Sequence, residues 1–195
     1  MQCCYLEINK IIHKDGKYKD ILELEYHPLS FRQPDNNIRN TIITFFQNNI
    51  ITDTRINTLV CIGGECTLFG RIFKSISRKY FLTDYKSIYN DLVCNYLDCE
   101  NISLIDYKTS SLEWDKYSRV GVMCIIANTG YQGLGIHLAE ELIRSNAEII
   151  YIVSCNVKSF QNDYLILGIR YRINKQIEIK TNYLVWIYKL IKNII

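Results

Sequence analysis

The sequence predicts an α/β protein built on a doubly wound, mostly parallel sheet with an antiparallel last strand. Three observations carry this expectation. From residue 57 onward, short apolar runs alternate with segments of helical periodicity. Such alternation implies a parallel sheet covered on both faces. The final stretch, 169–190, reads as a closing β-hairpin rather than one more strand–helix unit.

Taken in order, residues 5–27 alternate polar and apolar around Lys14-Asp15-Gly16-Lys17, and Asp-Gly between two such runs signals a hairpin. A proline-punctuated linker, His27 to Pro34, follows. Asp35 or Asn36 can cap the next helix, whose Ile38, Ile42, Phe45 and Phe46 share one face. Thr58–Ile62 is the first sheet strand; Gly63-Gly64 and a helix through Leu68, Ile72 and Ile76 come next. Tyr80–Leu82 is the second, ending near Asp84, with a helix through Ile88, Leu92 and Tyr96. Ile102–Ile105 is the third. Val120–Ala127 is the fourth, ahead of a helix through Leu134, Leu138 and Leu142. Ile149–Val153 is the fifth, with a helix near 159–167. The expected organisation is an arm and linker over 1–30 and one α/β domain over 31–195.

Composition narrows the class. A 195-residue chain with 48% apolar and 22% charged residues is long enough for one domain and is not a disordered chain. Its net charge of +3 is compatible with an RNA partner without requiring one. The longest apolar run suits a buried strand, so no membrane span is expected. The first residues lack a basic, then apolar, leader, which points to a cytoplasmic protein. Eight cysteines without a CxxC pair or a zinc-spaced array suggest a reducing compartment, no structural metal, and mostly buried thiols.

In open α/β sheets the ligand lies beyond the carboxyl ends of the strands. That rule singles out Gly63–Cys66, Asp84, the loop Asn128–Gly133 and the segment Ser154-Cys155-Asn156. A glycine pair lets the backbone approach a ligand, though a plain tight turn has the same sequence. Asp84 can accept hydrogen bonds from ribose hydroxyls or cap the following helix. Cys155 can be a nucleophile facing the crevice or buried filler. Gln33, between Phe31-Arg32 and Pro34, can present its amide to a ligand or belong to a surface linker.

Phe31-Arg32-Gln33-Pro34-Asp35 resembles the Phe-x-Gln-x-Asn motif of the RNA (uracil-5-)-methyltransferases, with Asp35 in place of Asn. Ile150-Tyr151-Ile152-Val153-Ser154-Cys155-Asn156 resembles their nucleophile segment, with Val157 where they have Pro. Segment order extends the resemblance over roughly residues 26–190. It implies the class I S-adenosylmethionine-dependent methyltransferase fold. It also implies S-adenosylmethionine held by Gln33, Gly63, Gly64, Asp84, Asp106 and Asn128, catalysis by Cys155, and tRNA or rRNA as substrate, with a protein partner a further expectation.

The departures are equally specific. Thr58, Val60 and Ile62 stand where the family has an acidic residue, an aromatic and a glycine; Gly64 is kept. The family's Asp-Pro-Pro-Arg-x-Gly loop becomes Asn128-Thr129-Gly130-Tyr131-Gln132-Gly133, so a carboxylate and a guanidinium are lost. Tyr183 and Val185 fall where the family has the His and the basic Glu. Methylation at uracil C5 needs a thiolate to add to C6 and a base to remove the C5 proton. Valine cannot take that proton, and losing a general base costs roughly 10²–10⁴-fold in rate. The expected function is therefore an RNA methyltransferase with impaired or altered catalysis. The alternative is a catalytically inactive subunit of the same fold that binds RNA or protein.

Overall fold

A computed structural model describes residues 11–12, 18–19, 24–33, 35–51, 55–73, 76, 78–84, 86–95, 97, 101–117 and 121–193. The turn expected at 14–17 and the helix positions Tyr85 and Tyr96 lie outside these residues. Two sheets are present among the described residues. A small antiparallel one joins β1 (Ile11–Ile12), β2 (Tyr18–Lys19) and β3 (Glu25–Tyr26). The large one has seven strands: β4 (Ile56–Gly63), β5 (Arg78–Thr83), β6 (Ile102–Leu104), β7 (Val122–Asn128), β8 (Ile149–Ser154), β9 (Tyr171–Lys180) and β10 (Leu184–Lys192). Its order is β6-β5-β4-β7-β8-β10-β9. β4 to β8 pair in parallel, and β10 runs antiparallel to both of its neighbours. The chain winds outward from β4 to β6 and then returns beside β4 as β7. The crevice of a doubly wound sheet lies at this β4–β7 reversal.

Among the described residues five α-helices cover the sheet: α1 (Asn36–Phe46), α2 (Cys66–Ile72), α3 (Lys86–Cys94), α4 (Gly135–Ser145) and α5 (Val157–Leu167). Strand residues alternate strictly between two cores, as the two-residue period of a strand requires. Leu59, Cys61, Phe81, Cys124, Ile126, Tyr151 and Val153 face α1, α2 and α3. Val60, Ile62, Leu82, Ile125, Ala127, Ile150 and Ile152 face α4 and α5. Burial on both faces explains why these strands read as continuous apolar runs.

Asp35 caps α1, its carboxylate accepting from the Asn37 and Ile38 N–H groups at 2.7 and 3.3 Å. The helix widens into a single π turn over Gln47–Ile51. α2 stops at Ile72, short of the helix expected to reach Ile76. Phe73 leaves helical geometry there and fills the core, and Ile76 is buried outside the helix. Between β6 and β7 the crossover is a loop with one 3₁₀ turn, Trp114–Lys116. The buried carboxylate of Glu141 on α4 pins it, accepting from the Leu112 N–H (3.2 Å) and the Trp114 indole (3.0 Å). β3 is docked to α3 by the Asn95 side chain, which accepts from the Glu25 N–H and donates to the Glu25 carbonyl, both at 2.9 Å. No helix among the described residues is long and apolar enough to cross a membrane.

Candidate functional site

The site is built on the turn that ends β4. Gly63 has φ +88, and a Cβ placed there would sit 2.3 Å from the Asn128 carbonyl oxygen. Only glycine fits this approach. It brings the Gly64 N–H within 2.7 Å of the same carbonyl, which locks the ends of β4 and β7 together across the reversal. Asn128 is buried, and its main-chain oxygen is occupied by this bond.

Glu65 follows at φ 61, a left-handed conformation that costs a non-glycine residue about 1–2 kcal/mol. Its buried carboxylate accepts the Gln33 N–H at 2.7 Å, which ties the linker to the glycine turn. The Phe31 ring lies over Gly64, its Cδ1 3.0 Å from where a Cβ would be. Gln33 is 2% exposed, and its amide Nε2 is buried with no hydrogen-bond partner. Glu65 lies inside the Gly63–Cys66 segment that the topology singles out, but its tie to Gln33 is not legible in the sequence. Its one signal was a carboxylate directly after a glycine pair.

The β4–β5 register pairs Ile62 with Leu82, which sets Asp84 level with Gly64. Asp84 Oδ1 is buried without a hydrogen-bond partner. Burial pushes its carboxyl above the usual value; its own backbone N–H and Lys108 pull down, and Asp106 pushes up. Asp106 lies beside it but at the surface. There its carboxylate closes a turn, accepting the Thr109 hydroxyl (2.5 Å) and the Lys108 N–H (3.1 Å), bonds that lower its pKa. The adjacent Tyr107, missed in sequence, is buried with its hydroxyl against the Gly63 turn.

The loop after β7 is fastened from α5. Asp163 accepts the Leu134 and Gly135 N–H groups at 2.9 and 3.1 Å, and the Ser159 hydroxyl donates to the Tyr131 carbonyl at 3.0 Å. Gly133 leaves room for that carboxylate, since a Cβ there would meet Asp163 Oδ2 at 2.6 Å.

Gln33, Gly63, Gly64, Asp84 and Asn128 therefore gather around one turn, with Asp106 at its edge. Cys155 stands apart, past the end of β8 and two strands from the glycine turn, about 10 Å across the sheet. It is half-buried and packs against the α1–α3 core, and burial pushes its thiol above the ordinary value. A nucleophilic cysteine needs the opposite shift. The neighbouring Asn156 side-chain oxygen caps α5, accepting from the Lys158 and Ser159 N–H groups. Trp186 pairs with Ser154, so the next step of that ladder sets Val185 opposite Cys155 on the same face. Val185 is 1% exposed, while Tyr183 is exposed in the β9–β10 turn. In that turn the Thr181 side chain bonds the Asp35 carboxylate and is the main cause of its lowered pKa. No group of three metal-ligating side chains occurs among the described residues.

No protein-family model matches the chain, and no curated protein does. Solved structures do match. The Pyrococcus abyssi tRNA (uracil-54, C5)-methyltransferase, in complex with S-adenosyl-L-homocysteine, aligns with TM-score 0.65 and 17% identity over 87% of this chain. The match spans 42% of that protein, so this chain corresponds to less than half of it. The N-methyltransferase NodS of Bradyrhizobium japonicum, also bound to S-adenosyl-L-homocysteine, aligns with TM-score 0.62 and 9% identity over 81% of this chain and 89% of its own. An Escherichia coli rRNA methylase aligns with TM-score 0.54 and 10% identity over 81% and 66% of the two chains. At these identities the likeness is one of fold. The chain has the class I methyltransferase fold, a seven-stranded, mostly parallel sheet with one reversed strand.

Proposed function

We propose that this protein binds S-adenosylmethionine at the Gly63 turn and transfers its methyl group to RNA. The observation that carries the reading is a pair of buried polar atoms without hydrogen-bond partners, Gln33 Nε2 and Asp84 Oδ1, on either side of that turn. A buried polar atom left unpaired costs about 1–3 kcal/mol, so two of them in one place mark a site completed by a ligand. One offers a donor and the other an acceptor, which suits a ligand with a carboxylate and ribose hydroxyls. The bare Gly63–Gly64 backbone, already drawn against Asn128, leaves no side chain in the way. When bound, S-adenosylmethionine supplies an electrophilic methyl group. Asp84 would hold the ribose hydroxyls, and Gln33 would orient the polar tail. RNA as acceptor is supported by the activities of structural neighbours, which include tRNA and rRNA methylases.

The finer reading is transfer to uracil C5 through Cys155, supported by its place at the end of β8 and by the motif around it. Cys155 sulfur would add to C6, and its elimination would require a base to take the C5 proton. Val185 is opposite Cys155 and apolar, an observation that favours a second reading: a cofactor- and RNA-binding protein without that chemistry. Calorimetry with S-adenosylhomocysteine tests the main proposal. Binding should be measurable, and Asp84→Ala should weaken it at least about tenfold, because a hydrogen bond to a charged group contributes roughly 1.5–3 kcal/mol. No heat at millimolar ligand would remove the proposal. Covalent trapping on RNA carrying 5-fluorouracil, lost in Cys155→Ser, separates the uracil reading from the silent one.

A further inference from the structure

The opposite end of the sheet carries a second feature that the crevice does not use. There the start of β7 and β8, the end of β10 and the residues before β4 and β9 enclose a hollow of about 750 Å³. Its floor is apolar, formed by Ile149 and Ile191, and four cations line it: Arg55, Arg170, Lys189 and Lys192. Among the described lining residues the one carboxylate, Glu148, is turned to the main chain, where Oε2 accepts the Met123 N–H at 2.7 Å. Arg170 is held in place by donating to Asn146 Oδ1 at 2.6 Å, and its Nε is buried without a hydrogen-bond partner. The hollow also coincides with a β-bulge. β9 pairs Lys175 with Lys189 and Ile173 with Leu190, which leaves Asn174 as the extra residue, and Asn174 faces the hollow. Bulges re-aim side chains and are over-represented beside functional sites.

From this we infer that the hollow is a second RNA contact, taking the sugar–phosphate backbone of the substrate on its cations while a sugar or base edge rests on the apolar floor. The inference rests on the proposed action on RNA. The excess of cations over carboxylates gives the charge complementarity, and an arginine with an unused N–H is matched to a phosphate oxygen. β7 and β8 place the hollow about 20–25 Å from the crevice. Only an RNA large enough to pass along the β9–β10 edge reaches both, which would select structured RNA over a free nucleotide.

Phosphate contacts are read by salt. Each one lost makes the slope of log affinity against log salt shallower by about 0.7 for a single strand and about 0.9 for a duplex. Arg55→Gln/Lys192→Gln should therefore flatten the slope for a labelled tRNA transcript, which has both, by about 1.4–1.8. Between about 50 and 200 mM salt that is a roughly seven- to twelvefold smaller loss of affinity than in the wild type. Lys192→Gln alone should give half the change in slope, and S-adenosylhomocysteine binding should be unaltered in both. Lys116→Gln, a surface lysine paired with Glu113, should keep the wild-type slope. A wild-type slope in the double variant, or an equal change in Lys116→Gln, overturns the hollow as an RNA contact while leaving the crevice reading in place. A wild type that binds S-adenosylhomocysteine but no RNA at low salt overturns the choice of RNA itself.

Discussion

Asp84 holds an ionisable oxygen in a buried position without a partner, an arrangement that costs stability and that the proposed ligand would offset. Because burial raises its pKa above 3.8, its contribution to folding is most favourable below that pH and is lost as pH rises through the raised value. Asp84→Asn should therefore raise the melting temperature at neutral pH, with the gain shrinking toward pH 4, while ligand affinity falls. A variant that melts below wild type at pH 7 would contradict this. Gly63→Ala is expected to fail in both respects. Its Cβ would press on the Asn128 carbonyl from a left-handed backbone, so melting should drop and ligand binding should be lost. Cys155, with its thiol shifted upward, should react with iodoacetamide about tenfold faster per pH unit through pH 7–9. A rate already level at pH 7, read by peptide mapping, would reveal a preformed thiolate.

Among the elements, the pairing of α4 with α5 decides whether the loop after β7 keeps its shape. α4 begins without a side-chain cap of its own, at Leu134. The cap is supplied from α5 by Asp163, buried and bonded to two N–H groups that would otherwise be unsatisfied. Asp163→Ala should destabilise the protein by about 1.5–3 kcal/mol. It should also speed hydrogen exchange in residues 128–135 more than in β4. Uniform exchange across both segments would mean that the carboxylate acts on global stability alone. On the other side of the crevice, α1 is fixed by Asp35, whose carboxylate binds both the helix N-terminus and the β9–β10 turn through Thr181. The same five-residue motif thus sets Gln33 in the site and anchors the helix behind it.

For the whole molecule, the sheet divides two cores of similar make-up, and the α1–α3 core is organised around one ring. Phe46 is fully buried and meets Phe45, Phe69, Phe73 and Tyr151 edge to face, with centroids 5.2–6.1 Å away. These partners come from α1, α2, the turn after α2 and the central strand β8. Phe46→Ala should cost about 3–5 kcal/mol. The urea midpoint should fall with the slope of the transition unchanged, because the folded and unfolded surfaces remain alike. A loss under about 1 kcal/mol would show that α1 is not an integral part of the core.

The sequence by itself determined the order of strands and helices, the closing hairpin, the helix cap at Asp35 and the class of fold. Each depends on local chemistry: apolar period, a capping carboxylate, a glycine pair. The carboxyl-end rule of doubly wound sheets also singled out Gly63, Gly64, Asp84 and Asn128, which the fold brings to one turn, whereas Gln33, outside the sheet, was pointed to only by the resemblance of its motif. The sequence did not foresee that α2 would stop at Ile72, where Phe73 is drawn into the core. Nor did it identify Tyr107, Asp163 or Glu141, or the role of Glu65, whose partners lie about thirty residues away or more, or across the sheet. Only the tertiary structure decided the state of Cys155. A cysteine after a strand has the same sequence whether its sulfur meets solvent or packs against a core. Desolvation by neighbours distant in the chain is what raises the thiol here. The same holds for the basic hollow: Arg55, Arg170, Lys189 and Lys192 are scattered along the chain and become one surface only when β4, β9 and β10 are brought to the same end of the sheet.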